Sequence, residues 1–166
     1  MWKRLTTRPG DGILVRTDVQ GDERVREPLI VIMDGQGGGI GRALAETIRA
    51  AHPELKLRAL GTNALATAAI LKGGAGDGAT GENAVVFNAA LADIILGPVG
   101  ILTPNGLLGE VTPKMAEAVG ASRAVKILLP SQRCSIRLAV GPAQPMQFYL
   151  QEALRLLEEE LGKLEA

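Results

Sequence analysis

The residues best suited to chemistry lie in one short string, Asp34-Gly-Gln-Gly-Gly-Gly-Ile-Gly41. The apolar run from Leu29 to Met33 before it reads as a buried strand, and the recurring Ile40, Leu44, Ile48 and Ala51 after it read as a helix. Glycines between a strand and a helix let backbone amides approach a ligand closely, and the start of the helix offers unpaired N–H groups to an anion. A phosphate is the group such a turn suits. Gly35, Gln36, Gly37, Gly38, Gly39, Ile40 and Gly41 are therefore the expected binding residues. Thr62 and Asn63, after a second expected strand, join them, as do Glu82 and Asn83 after a second glycine-rich stretch. Asp34, Asn63, Asn105 and Gln132 all fall at or beyond the carboxyl end of an expected strand, the edge where open α/β sheets hold ligands. The same glycines would also permit nothing more than tight packing of strand on helix.

Candidate catalytic groups are few. Asp34 and Glu82 could form a carboxylate pair for proton transfer, or for a Mg²⁺ ion carried in with a phosphate ligand. Asp34 beside a pyrophosphate repels it unless a cation or a proton intervenes. Glu110 reads as an ordinary loop or capping acid. Cys134 follows Arg133, whose charge favours a thiolate, although a lone cysteine is more commonly an inert, buried small hydrophobe. No complete set of nucleophile, base and orienting group is visible, so whether the protein is an enzyme stays open. No dedicated metal site is expected.

Composition removes several other classes. With one histidine and one cysteine in 166 residues, no intrachain disulfide, His-His metal motif or multi-cysteine cluster can form within one copy. Lys plus Arg and Asp plus Glu each number 18, and a net charge of zero gives no general attraction to nucleic acid or anionic membrane. No apolar run approaches a spanning helix, and Met1 to Gly10 lacks the apolar core of a signal peptide. A cytoplasmic protein of one compact domain is expected, with a small-molecule partner. The core must be aliphatic, since the chain holds only one Trp, one Tyr and two Phe.

Positioning falls to an alternation of strands and helices. Residues 1–27 read as an N-terminal arm with a strand or hairpin near 12–19, and 28–166 as the nucleotide-binding domain. Strands are expected over 29–33, 55–60, 93–96, 125–129 and 135–140. Helices are expected over 40–51, 64–72, 113–121 with Thr112 as its cap, and 145–163; residues 73–83 read as a loop, and 83–90 as helix or strand, helix fitting the topology better. That alternation predicts a mostly parallel α/β sandwich of about five strands. Leu150, Leu154, Leu157, Leu161 and Leu164 give the last helix one apolar stripe. The stripe suits either one face of the sheet or a homodimer seam.

Three resemblances follow from these strings. Gly39-Ile40-Gly41 after a strand resembles the glycine motif of short-chain dehydrogenases, which implies NADP or NAD. Arg58, Thr62 and Asn63 at the second strand, where NAD binders carry an acid, favour NADP. That family's Tyr-x-x-x-Lys pair is missing, since Ala153 stands four residues after Tyr149. The order of glycine loop, Leu60-Gly-Thr-Asn63 and Gly97-Pro-Val-Gly100 is similar to tubulin-like GTPases, which implies a guanine-nucleotide binder. Their phosphate loop is replaced here by a segment containing Pro98 and Pro104, so polymerisation is not implied. Residues 29–141 as a whole resemble an uncharacterised family of bacterial Rossmann-like proteins. The match rests on residues 34–41, Ala59-Leu-Gly-Thr-Asn63, Gly78-Ala-Thr-Gly-Glu-Asn-Ala84, residues 109–118 and Arg133-Cys134. A nucleotide-binding Rossmann-like protein is the resulting expectation. A non-catalytic scaffold that self-associates through its last helix is the alternative.

Overall fold

The computed structural model describes residues 5–7, 14–17, 23–25, 27–131 and 136–165. Strands β1 (Leu5–Thr7), β2 (Leu14–Thr17) and β3 (Glu23–Val25) pair antiparallel as a small sheet, where one strand or hairpin was expected. The main sheet holds β4 (Ile30–Asp34), β5 (Leu57–Gly61), β6 (Asp77–Thr80), β7 (Ile94–Pro98) and β8 (Val125–Leu129). All its pairings are parallel, in the order β6-β5-β4-β7-β8. This is the 3-2-1-4-5 order of a Rossmann-like sheet, with its switch point between β4 and β7.

The five strands are not quite those expected. The fifth is β6, an edge strand within the glycine-rich stretch, and residues 136–140 form no strand. Asp77, Gly78 and Thr80 in β6 are exposed, so no apolar pattern advertises it. Pairing with β5, from Arg58 opposite Asp77 to Gly61 opposite Thr80, makes it a strand.

Both faces of the central strands are buried, as their continuous apolar runs require. Ile30, Ile32, Ile94 and Leu96 face one side, with α1 (Gly39–Ala51), α2 (Ala64–Lys72) and α5 (Met146–Glu165) supplying Leu44, Ile48, Ile70, Leu150 and Leu157. Val31, Met33, Leu60 and Ile95 face the other, with α3 (Glu82–Ala89) and α4 (Pro113–Ala121) supplying Val85, Met115 and Val119. Each fully buried aliphatic side chain contributes roughly 1.5–3 kcal/mol of transfer free energy. The leucine stripe of α5 thus packs on its own sheet: Leu157 is 0% exposed, and Leu154, Leu161 and Leu164 flank the same cluster.

Local signals account for the helix limits. The Asn63 side chain accepts from the Ala66 amide to start α2, and Thr112 accepts from the Met115 amide before Pro113 to start α4. His52 before Pro53 closes α1, donating its amide to the Ile48 carbonyl.

Candidate functional site

The turn after β4 lies beside the switch point. Gly38 accepts a left-handed φ of 67° as it leads into α1, and Gln36, although not glycine, stands at 51°. The Gly38 amide closes the turn on the Gly35 carbonyl at 2.9 Å. The ends of neighbouring strands are stitched to it: the Thr62 amide donates to the Asp34 carbonyl, and the Gly81 amide to the Gly61 carbonyl.

Asp34 faces inward. Its Oδ1 accepts from the Gly35 amide and its Oδ2 from the Gly41 amide, each at 2.8 Å. The side chain therefore takes up one N–H of the turn and one in the first turn of α1 that an incoming anion would otherwise find. Burial pushes the Asp34 carboxyl above its ordinary value. The amides of Gly41, Gly35 and Ile40 pull the other way without cancelling that effect, and the Glu110 charge adds to the rise.

Glu110, read from sequence as an ordinary loop acid, is the carboxylate brought closest to this turn. Its Oε2 accepts from the Gln36 amide at 2.7 Å, the Thr62 hydroxyl at 2.6 Å and Asn63 Nδ2 at 2.8 Å. Partial burial works against its charge. The hydrogen bonds from Thr62, the Gln36 amide and Asn63 outweigh that, and the carboxyl stays below its usual range. The segment after β7 delivers it. A short 3₁₀ turn (Val99–Leu102) leads into a loop in which Asn105, Leu107 and Leu108 all have left-handed φ between 54° and 59°, followed by Gly109 at 90°. Ile101, Leu107 and Val111 anchor that loop in the core. The useful signal in the sequence was the position of Glu110 inside the string from Gly109 to Ala118, not any local structural rule.

The glycines divide into two kinds. A methyl group on Gly35 would meet Thr62 Oγ1, Leu107 and Glu110 within 2.9 Å, and one on Gly38 or Gly41 would strike Ala66 or Ile70 of α2. Those three are required by packing. Gly37 and Gly39 have no protein atom within 4 Å of where a Cβ would stand. Among the described residues no hydrogen-bond acceptor meets either amide.

The remaining expected residues are spread along the same edge. Thr62 and Asn63 hold Glu110, and Asn63 Nδ2 also reaches the Gln36 carbonyl at 3.0 Å. Glu82 opens α3, and its partners are Thr112 and Lys114 of the α4 start rather than Asp34. The Thr112 hydroxyl, with Lys114 at 3.6 Å, holds its carboxyl below the usual range. Asn83 is exposed beside it. Gln132, Arg133 and Cys134 lie outside the described residues. Arg58 is not among the residues that meet at this turn. It lies near the start of β5, and its guanidinium grips Asp77 at 2.6 and 2.7 Å and Asn88 at 3.0 Å.

A groove of about 740 Å³ opens at the opposite, amino-terminal edge, lined in part by Leu29, Lys56, Arg58 and Asp77. Its cations are engaged, Lys56 by Glu27 and Arg58 by Asp77, each at 2.6 Å, and Arg49 by the carbonyls of Gly74 and Pro53. Among the described residues, no three His, Cys, Asp or Glu side chains gather as a metal cage. No described helix is long and apolar enough to cross a membrane.

No curated protein matches the chain. Among solved structures it is similar to a dodecameric FMN-dependent UbiX-like decarboxylase from Escherichia coli O157:H7. The identity is 18% and the TM-score 0.42, over 79% of this chain and 76% of that one. Residues 29–162 match the family described as a domain of unknown function, DUF3842. That span runs from the first strand of the parallel sheet into its last helix, and the chain belongs to the DUF3842 family.

Proposed function

We propose that this protein binds a phosphate-bearing nucleotide at the carboxyl edge of its sheet, with NADP or NAD as the first candidate and a guanine or adenine mononucleotide as the second. The observation that carries the reading is the pair Gly37 and Gly39. Their Cβ positions face open space and their amides lack a described acceptor, so neither glycine is needed for packing. The switch point beside them is where open α/β sheets form their ligand crevice. Thr62, Asn63, Glu82 and Asn83 occupy the same edge and can hydrogen-bond the nucleotide. Asp34 and Glu110 add negative charge, so a Mg²⁺ ion accompanying the phosphate would strengthen binding. With Arg58 engaged by Asp77, a preference for NADP over NAD would rest on Thr62 and Asn63.

The test is a thermal-shift screen against NAD(H), NADP(H), ATP, GTP and the corresponding diphosphates, with and without Mg²⁺. A ligand at about 100 times its Kd stabilises by roughly 2.7 kcal/mol, a readily visible shift for a domain of this size. The Gly39→Val protein, whose added Cβ has open space within 4 Å, should fold and lose that shift. An unchanged response in Gly39→Val would move the ligand away from this turn. No shift with any compound would favour a non-catalytic partner-binding role.

A further inference from the structure

The three donors that meet at Glu110 come from two turns that lie side by side. The Gln36 N–H belongs to the turn after β4, and the Thr62 hydroxyl and Asn63 Nδ2 to the turn between β5 and α2. All converge on a single oxygen, Oε2, at 2.6–2.8 Å. Convergent charge-assisted donors at these lengths form an anion receptor, whichever anion fills it. We infer that this cradle is the phosphoryl subsite of the nucleotide site, and that Glu110 is its internal occupant, exchanged for a phosphoryl oxygen when ligand binds.

This inference rests on the nucleotide reading and adds a competitor to it. The exchange is local. Glu110 is only half-buried, so its carboxylate can turn to water while the loop stays in place. Leu107 and Val111 remain in the core, and the loop keeps its own bonds, from the Asn105 amide to the Val111 carbonyl and from the Val111 amide to the Gly106 carbonyl. The cradle itself is held without Glu110, since Asn63 is fixed by its bonds to the Ala66 amide and the Gln36 carbonyl. A nucleotide must outcompete the carboxylate, and an occupant present nine-tenths of the time weakens apparent affinity about tenfold.

The experiment compares ADP and NADP with adenosine, which lacks phosphate, by calorimetry on the wild type, Glu110→Gln and Glu110→Ala. The glutamine variant keeps the size of the side chain and so guards against loss of fold. Both variants should bind ADP and NADP about tenfold more tightly than the wild type, with adenosine unchanged. Adding Thr62→Val to Glu110→Ala should remove the gain. Weaker ADP binding in both variants would make Glu110 a ligand contact instead, and equal affinity, or an equal gain for adenosine, would equally overturn the exchange. In those cases the wild type still binds ADP and the nucleotide reading survives. If no form binds ADP or NADP, or NAD or GDP titrated in the same way, both fall together.

Discussion

Asp34 and Glu110 divide the amides of one turn between them: Asp34 takes those of Gly35 and Gly41, and Glu110 takes that of Gln36, which lies between. One carboxylate comes from within the strand and the other from a loop 76 residues further along. Both oxygens of Asp34 are acceptors, so an amide in its place must turn its NH₂ towards one backbone N–H. Asp34→Asn should therefore lose one buried hydrogen bond and leave a donor unmet, costing about 1–3 kcal/mol. Urea denaturation of the two proteins measures the difference. A variant as stable as the wild type would show that the turn does not depend on the carboxylate.

The two kinds of glycine predict opposite responses to alanine. A methyl group on Gly61 would stand 2.2 Å from Thr67 Oγ1 and 2.5 Å from two backbone atoms, so Gly61→Ala must shift the start of α2. A cost of about 2–3 kcal/mol is expected, near the upper end for overpacking. Gly39→Ala meets nothing within 4 Å, and at a helix start it should leave stability unchanged or raise it by up to about 1 kcal/mol. Thermal melts of both variants decide this, and a strongly destabilised Gly39→Ala would mean that the site is crowded after all.

His52 links the end of α1 to the last helix. Its Nε2 lies 2.9 Å from Glu158 and its Nδ1 3.1 Å from Glu54. The Glu158 hydrogen bond is the main influence raising its pKa above 6.5. Partial burial opposes the rise and Glu54 adds to it. A raised folded-state pKa means that the protonated ring stabilises. That contribution is complete below pH 6.5, the ordinary value, and is lost as pH rises through the folded-state pKa. Melting temperature should accordingly fall over that window, and Glu158→Gln should flatten the profile. An unchanged slope in Glu158→Gln would detach the pH dependence from this contact.

Elements with local punctuation were legible in the sequence to the residue. Strand β8, helix α2 and helix α4 with its Thr112 cap lie where expected, because capping side chains and proline act on their immediate neighbours. Strand β6 escaped because nothing in Asp77-Gly-Ala-Thr80 favours extension without β5 beside it. The expected strand over 135–140 had β-branched residues but gained no neighbour along residues 136–140. At the site, the glycine turn and the Thr62–Asn63 pair were visible. Glu110 was not, because its place depends on Leu107 and Leu108 adopting left-handed backbone that leucine rarely takes.

The outer strand β6 has a colloidal consequence. A parallel sheet that stops at an exposed strand offers a row of unpaired backbone groups to which a neighbouring molecule can add, the first step towards fibrils. Here that row is four residues long, interrupted by Gly78 and flanked by the Asp77–Arg58 ion pair. An arriving strand would find little length to grip, no apolar side chain larger than alanine to bury and a fixed charge at one end. The residues that made β6 hard to recognise as a strand also make it a poor template for aggregation.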